Sequence, residues 1–538
     1  MAPLTLAWLA SALLAGADPY PEAHPPAGQQ PVRPAGYTHF QYPQSPQELL
    51  TQYGPQMEQR ARQAWSDIDQ TNAKGAIKPT PESLATHACP AWFRDAKIGM
   101  FIDWGPWSVG GYASPSGGAA YPDWYEFNLY NDPRVKAYHA KAWGADLGDD
   151  DLINLLSDRR FDARGFAALA KACGFRYVVP FLKHHGGFCL WDSSFTRRNS
   201  MAWAFHRDFA AELSRACRRE GLRFGAYVSV GEWDYPAIRP DGQLGTFGFD
   251  ARLRPEPGFG HYAFLSGKVP VKDYAKDYFV PATRELLDRL QPDLLWYDGA
   301  WNNTAAAYHT LELNAWYYNQ AAAEQREVCI NDRSGSDYRD GKVSGKSDFT
   351  TSEFGHGAST LDQAWEECRS FSHNFGYNWT EETDPTAILS DKAAIDLVVD
   401  VIGRGGNLLL IVSPTGSGEV PPRQLHALRN LGDWLSKHGE AIYGTRAYAL
   451  AQQPPWGRLT HSADGRTVYL HLTQWPADGL VRVPALPLKS IDSARVLHGQ
   501  GSPGFTQPTK DGFQVDLSGC TPGDPRVTVV ALGATPAE

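Results

Sequence analysis

The sequence predicts an α/β protein: a (β/α)8-like barrel, irregular at one connection, followed by a C-terminal β-sandwich. Three observations carry this. Eight short apolar segments of strand type lie between Asp95 and Pro414, and most are separated by stretches whose apolar residues recur at three and four. Strand alternating with helix implies a parallel sheet, and eight repeats imply a closed barrel. In seven of the eight segments a polar residue sits at or near the C-terminal end, namely Asp103, His184 and His185, Glu232, Asp298, Asp332 and Arg333, Glu353, and Asn378. In such a barrel that is the face that holds the active site.

The chain opens with "MAPLTLAWLASALLAGADPY", an apolar run from Leu4 to Leu14 followed by the small residues Ala15, Gly16 and Ala17. This reads as a secretory leader over residues 1–17, with the protein expected in the periplasm or outside the cell, although no Lys or Arg precedes Arg33. The run is too short for a membrane span. Residues 18–48 are rich in Pro, Gln and Gly and read as a linker or surface wrap.

The catalytic-size unit is expected over residues 49–440. Its strand segments are "IGMFIDWG", "YVVPFLKHH", "FGAYVSVGEW", "LLWYDGAW", "VCINDR", "DFTTSEF", "SHNFGYN" and "NLLLIVSP". Helical periodicity covers Phe161 to Cys173, Trp203 to Glu220, Tyr274 to Leu290, Leu313 to Glu327 and Ala387 to Ile402. No helical pattern separates "VCINDR" from "DFTTSEF", which is the irregular connection. After a helix from Arg423 to Lys437 the pattern turns to alternation between turn signals, in "GRTVYLHL", "GLVRVPAL", "SARVLHG", "GFQVDLSG" and "RVTVVALG". Residues 441–538 therefore read as the sandwich, with no catalytic constellation of their own.

Bulk composition narrows the function. Fifty basic against 60 acidic residues give a formal charge of −10 without a basic run, so nucleic acid and anionic membranes have no electrostatic support as partners. A neutral substrate is compatible, and 18 Trp residues suit the apolar faces of sugars as well as a large core. Seven scattered cysteines without CxxC spacing describe neither a disulfide scaffold nor a zinc site, and no metal or organic cofactor is signalled. "GKVSGKS" is one residue short of a phosphate-binding loop, and no GxSxG elbow occurs.

"PDLLWYDGAWNN" is the most informative segment. Asp298 ends the strand beside Gly299 and between Trp296 and Trp301, giving a carboxylate an open approach and dry walls, as a glycosidase nucleophile requires. The alternative is a salt-bridged strand-end acid. Glu353, with Phe354 after it, best fits the second carboxyl that would protonate a leaving oxygen. Glu366 and Glu367 compete for that role but fall in a helical pattern and read as an exposed helix face. His184 and His185 precede two glycines; adjacent imidazoles are expected to point to opposite faces, which suits hydroxyl binding or a structural role better than a shared metal. Arg333 could orient the acid catalyst or simply pair with an acid such as Asp332. Asp103 is the anomaly, a carboxylate between Ile102 and Trp104 at the end of a buried strand, where it needs a partner or a polar ligand.

Taken together, "WFRDAKIGMFIDWGPWSV", "YVVPFLKHHGGFCLWDSS", "LLWYDGAW", "INDR", "FGYN" and "GRGGNLLLIVSPTGSGEVP", in this order, resemble glycoside hydrolase family 29, the α-L-fucosidases. The resemblance implies a retaining, exo-acting enzyme with Asp298 as nucleophile and Glu353 as acid/base. It implies sugar contacts from Trp124, His184, His185, Trp296, Arg333 and Phe375, with Tyr227 a looser match and Trp104 and Asp123 beside them. Asp103 stands where the family usually has His, Asp123 where Glu is common, and Gly186 where an acid is common. Asp103 would then face sugar hydroxyls. The expected substrate is a fucosylated or related glycan, with an α-L-galactoside as the shifted-specificity alternative and a silent sugar-binding protein as the rival from another class.

Overall fold

The structure is a computed structural model that describes residues 20–26, 28–114, 121–203, 205–258, 262–338, 347–355, 363–450 and 452–537. The leader expected over residues 1–17, and most of "GKVSGKS", lie outside the described residues.

Eight parallel strands form the barrel: β1 (Ile98–Ile102), β2 (Tyr177–Lys183), β3 (Arg223–Ser229), β4 (Leu294–Asp298), β5 (Cys329–Ile330), β6 (Phe349–Glu353), β7 (Ala364–Ser370) and β8 (Asn407–Val412). Each pairs with its sequence neighbour, β8 closes on β1 with Ile98 opposite Leu408, and a single bridge between Asn331 and Phe349 joins β5 to β6. Every residue of β1, β2, β4 and β8 is buried. Helices cover one face and barrel side chains fill the other, so these strands read as unbroken apolar runs.

The helices start where side chains can cap them. Asp162, Asp208 and Ser390 accept from backbone N–H groups at the starts of Ala163–Ala172, Phe209–Arg219 and Asp391–Gly403. Among the described residues no helix joins β5 to β6, as the missing periodicity implied.

The seventh strand differs from expectation. It is β7, "AWEECRS", whereas "SHNFGYN" is the loop that follows it. Glu366 and Glu367 are therefore not on an exposed helix; they are 0% and 1% exposed, on opposite faces of the strand. Glu366 points into the barrel and accepts from Tyr177 Oη at 2.5 Å and Trp296 Nε1 at 2.9 Å. Polar residues on both faces of β7 conceal its period of two.

Beyond the helix Pro422–His438, a five-stranded antiparallel sheet and a three-stranded one enclose their own core of Leu470, Val481, Val515, Val530 and others. Residues 20–44 run over the barrel, where Tyr37 Oη and the Phe40 amide bond Asp151 and Arg33 pairs with Asp146. All seven cysteines are free, and no described helix is long and apolar enough to cross a membrane.

Candidate active site

At the C-terminal ends of the strands lies a cleft of about 340 Å³ lined by aromatic rings and three carboxylates, Asp123, Asp298 and Glu353. That volume is at the small end of ligand pockets. Its walls are Phe101, Phe181, Tyr227 and Trp296 on one side and Tyr121 and Phe375 on another, with Trp124 and Trp301 stacked at 13°. Tyr121 and Phe375 also stack, 4.8 Å between centroids.

Asp298 is the last residue of β4 and is 9% exposed. Its Oδ2 accepts from Tyr227 Oη at 3.0 Å and its Oδ1 from Arg333 Nη1 at 3.0 Å. Gly299 turns away at φ 73°, and a Cβ there would fall 2.7 Å from Ser229 Oγ and 3.0 Å from His185 Nδ1. Glycine thus lets the histidine loop close on the nucleophile candidate.

Glu353 ends β6 two strands away, and its Oε1 lies 2.5 Å from the same Arg333 Nη1. Since both oxygens sit on one nitrogen, at 3.0 and 2.5 Å, they can be no more than about 5.5 Å apart. That limit is compatible with the ~5–5.5 Å of retaining glycosidases and shorter than the ~6.5–9.5 Å that inverting ones need for an added water. Arg333 does what the sequence left open, and does it for both acids at once. Its guanidinium lies 4.7 Å over Trp296, and its Nε donates to Thr351 Oγ1, which itself donates to Asp332 Oδ1. Burial opposes the charge on Arg333, but Glu353 and Asp298 outweigh it and hold its pKa well above the usual value.

The histidines depart from expectation. β2 ends at Lys183, so His184 and His185 lie in the turn and not on the pleat, and their rings sit side by side with centroids 4.0 Å apart. Arg198 Nε bonds the carbonyl of Gly186 and fixes this turn. His185 Nδ1 contacts Ser229 Oγ at 2.6 Å, while that hydroxyl donates to the Gly231 carbonyl. With the hydroxyl proton committed, Nδ1 carries the ring proton and Nε2 is an acceptor. Burial lowers the His185 pKa to about 4, against the pull of Asp298, so the ring is neutral. Its Nε2, 3.8 Å from Asp298 Oδ2, finds no protein hydrogen bond. A ligand hydroxyl has a single proton and so can donate to Nε2, while Asp298 Oδ2 keeps its bond from Tyr227.

Asp123 lines the cleft, with Oδ2 3.5 Å from His184 Nε2 and Oδ1 without a hydrogen-bond partner. Burial, then the charges of Asp103, Glu353 and Asp298, push its pKa well up. Asp103 is the residue expected to face the sugar. It is 0% exposed and does not line the cleft. The ladder carries one residue past β1, through the Asp103 amide to Val412 O, and its Oδ1 accepts from Trp107 Nε1 at 2.8 Å. Oδ2 has no partner, and burial raises the pKa to about 7, with Trp107 and the Gly376 amide pulling the other way.

Trp104 is a second correction. It turns away from the cleft to stack on Phe161 and donates to the Thr415 carbonyl, because the chain leaves the strand after Asp103. Glu232 belongs to the support; it is buried between Lys183 and Lys268 at 2.8 and 2.6 Å, which overcome its burial and lower its pKa to about 2. Asn378 caps the turn Trp379–Glu382. A Cβ on Gly186 would lie 3.0 Å from Glu126 Oε1, so a buried carboxyl does stand beside that glycine, supplied from the helix Tyr125–Asn131. Tyr121, Trp107, Ser229 and Glu126 were not singled out from sequence; Ser229 ends β3, but the polar residue chosen there was Glu232, three positions on, and the other three end no strand.

Comparison with known proteins agrees with this geometry. The family described as Alpha-L-fucosidase matches residues 64–440. The chain belongs to the α-L-fucosidase family. It is 30% identical to the plasma alpha-L-fucosidase of Rattus norvegicus, over 82% of this chain and 89% of that protein, and 26% identical to the alpha-L-fucosidase of Dictyostelium discoideum, over 83% and 92%. Among solved structures, the Thermotoga maritima alpha-fucosidase in complex with a mechanism based inhibitor superposes with a TM-score of 0.69 at 30% identity, covering 85% of this chain and all of that one. The same enzyme in complex with fucose gives a TM-score of 0.67.

Proposed function

We propose that this member of the α-L-fucosidase family is a retaining, exo-acting hydrolase of terminal α-L-fucose, with Asp298 as nucleophile and Glu353 as acid/base. The observation that carries the reading is the shared Arg333 nitrogen, which holds the two carboxylates within about 5.5 Å at the barrel mouth. Asp298 attacks the anomeric carbon while Glu353 gives its proton to the departing glycosidic oxygen, so one C–O bond breaks as the glycosyl ester forms. Glu353, now a carboxylate, takes a proton from water as that water attacks the same carbon and releases Asp298. Two inversions give retention.

The remaining residues serve recognition. Trp296 lines the cleft with its indole N–H held by Glu366 and the Arg333 guanidinium over its ring. Asp123 Oδ1, His184 Nδ1 and His185 Nε2 are buried polar atoms without protein hydrogen bonds, each a place where a sugar hydroxyl relieves about 1–3 kcal/mol of desolvation. The small, aromatic-walled cleft supports removal of a single terminal sugar. Export is supported by the apolar run Leu4 to Leu14 and the small residues after it; N-terminal sequencing of the mature protein tests it.

The test of the chemistry is reaction with a mechanism-based fucoside inactivator followed by peptide mass spectrometry, with proton NMR of the first-formed product. A glycosyl ester on Asp298 and an α-configured product are expected. An ester elsewhere, or β-fucose formed first, overturns the assignment.

A further inference from the structure

Glu232 stands out in the sequence as a strand-end acid, yet the chemistry described above gives it no part. It is 1% exposed, and its carboxylate meets three groups. Oε1 accepts from Lys183 Nζ at 2.8 Å and from Tyr278 Oη at 2.7 Å, and Oε2 pairs with Lys268 Nζ at 2.6 Å. Lys268 in turn donates to the Asp234 carbonyl at 2.9 Å. Pairing of buried charges returns little beyond what their desolvation costs, so stability alone does not account for such a cluster. Its place in the fold does.

Lys183 is the last residue of β2 and directly precedes His184. Gly187, two residues after His185, sits at φ 80°, and a Cβ there would fall 2.1 Å from Glu232 Oε2 and 2.7 Å from Lys268 Nζ. One carboxylate therefore holds the residue before the histidine pair by an ion pair and packs against the backbone just after it. The next residue along the chain, Trp233, donates its amide to the His185 carbonyl at 3.0 Å, and the Gly187 amide donates to the His184 carbonyl at 3.0 Å. From the other side Arg198, bound to Asp149 and Asp150 at 2.6 and 3.0 Å, holds the Gly186 carbonyl. The direction of both imidazole rings starts from the backbone of this turn.

We propose that Glu232, with Lys183 and Lys268, is a positioning residue for sugar binding, taking both histidines as sugar ligands in the reaction assigned above: its carboxylate clamps the turn that carries His184 and His185 and touches no substrate. A carboxylate suits the task because its two oxygens serve two ammonium groups at once with charge-assisted bonds. An apolar side chain of the same size would leave both ammonium groups buried and unpaired. Side chains packed behind a binding site hold its geometry to about 0.5 Å. A turn released from that hold weakens its contacts with the sugar in the ground state and the transition state alike, which raises KM and leaves kcat nearly unchanged.

The test compares Glu232→Gln and Lys268→Met with the parent, and with Trp104→Phe as a variant altered away from the turn. Three quantities are read: the ring-nitrogen resonances of protein carrying isotope-labelled histidine, assigned by single histidine substitutions, the affinity for fucose by calorimetry, and kcat and KM on an aryl fucoside. In each variant of the cluster that folds, the His184 and His185 signals should shift, and affinity and KM should worsen by about 10–100-fold with kcat changed far less. Trp104→Phe should move none of these. Unmoved ring signals, or an unchanged KM, in a cluster variant that folds overturns the proposal. Should neither fold, hydrogen exchange of the parent decides: residues 184–187 exchanging as slowly as β2 support the clamp, and faster exchange overturns it. The ring signals and the exchange need no substrate, so a parent inert to fucosides would refute the assigned reaction and leave the clamp to be judged on those two readouts.

Discussion

Replacing Asp103 by Asn should make the protein more stable at alkaline pH and no more stable at acid pH. The Asp103 carboxyl ordinarily ionises at 3.8 and is raised by burial to about 7 in the folded protein. Between those values the folded chain binds a proton that the unfolded chain has released, so stability falls as pH rises through that window. The cost is absent below about 3.8 and complete above about 7. Three pH units at 1.36 kcal/mol each amount to about 4 kcal/mol, and sharing of a proton with the neighbouring Asp123 brings the realised figure to about 2–4 kcal/mol.

Asn keeps an oxygen for the Trp107 indole N–H, whose bond to Asp103 is 2.8 Å long, and carries no charge at any pH. With an unfolding entropy of about 2.1 cal/mol/K per residue over 538 residues, the gain converts to a Tm rise of about 2–4 °C at pH 8 and none near pH 4. Differential scanning calorimetry of both proteins from pH 4 to 8.5, at one scan rate, measures this. A variant whose Tm differs from the parent by the same amount at every pH, or falls below it at pH 8, would show that Asp103 does not carry the burden assigned to it. Activity should move the other way, because Asp103 acts electrostatically on Asp123 of the cleft and a destabilising acid at a functional site is kept at a cost in stability.

Asp298→Asn should cut turnover by at least roughly 10³-fold while leaving fucose binding measurable by calorimetry. Glu353→Gln should lose about 10²–10⁴-fold on fucosides with poor leaving groups and far less on an activated aryl fucoside, whose departure needs no proton. Tyr227→Phe removes the 3.0 Å bond to Asp298 and should cost about 10–100-fold in kcat/KM, the worth of a charge-assisted hydrogen bond. Trp104→Phe, in a residue stacked on Phe161 and away from the cleft, should lower Tm and leave KM unchanged.

The barrel was legible because most of its strands announce themselves twice, by apolar runs and by a polar residue at the C-terminal end. Asp298 and Glu353 obey that rule, and so does Arg333, though only the fold reveals that one of its nitrogens serves both acids. The rule misled at Glu232, which is buried between Lys183 and Lys268. A strand end names the rim of the barrel, not the direction of a side chain, and Trp104, named from the family resemblance, stacks on Phe161 instead of entering the cleft. It also failed at β7, where the polar faces of a strand are satisfied by long-range partners. Glu366 answers Tyr177 and Trp296, which lie 189 and 70 residues away in the chain.

The same partners explain why evolution of such a barrel can keep a carboxyl in its core. Glu366 is raised by burial to about 7, with Tyr177 and Trp296 opposing, so the cost of burying its charge is met partly by those two hydrogen bonds. What it secures is the plane of Trp296, on whose face Arg333 lies and from whose strand Asp298 projects. Removing only the carboxylate would leave two buried donors unpaired, at about 1–3 kcal/mol each. Glu366→Gln keeps an acceptor for one or both of them, so it should preserve Tm within a degree or two while raising KM through a looser Trp296. A Glu366→Leu variant should lose stability as well. Equal KM values in the parent and both variants would break the link drawn here between the barrel interior and the cleft.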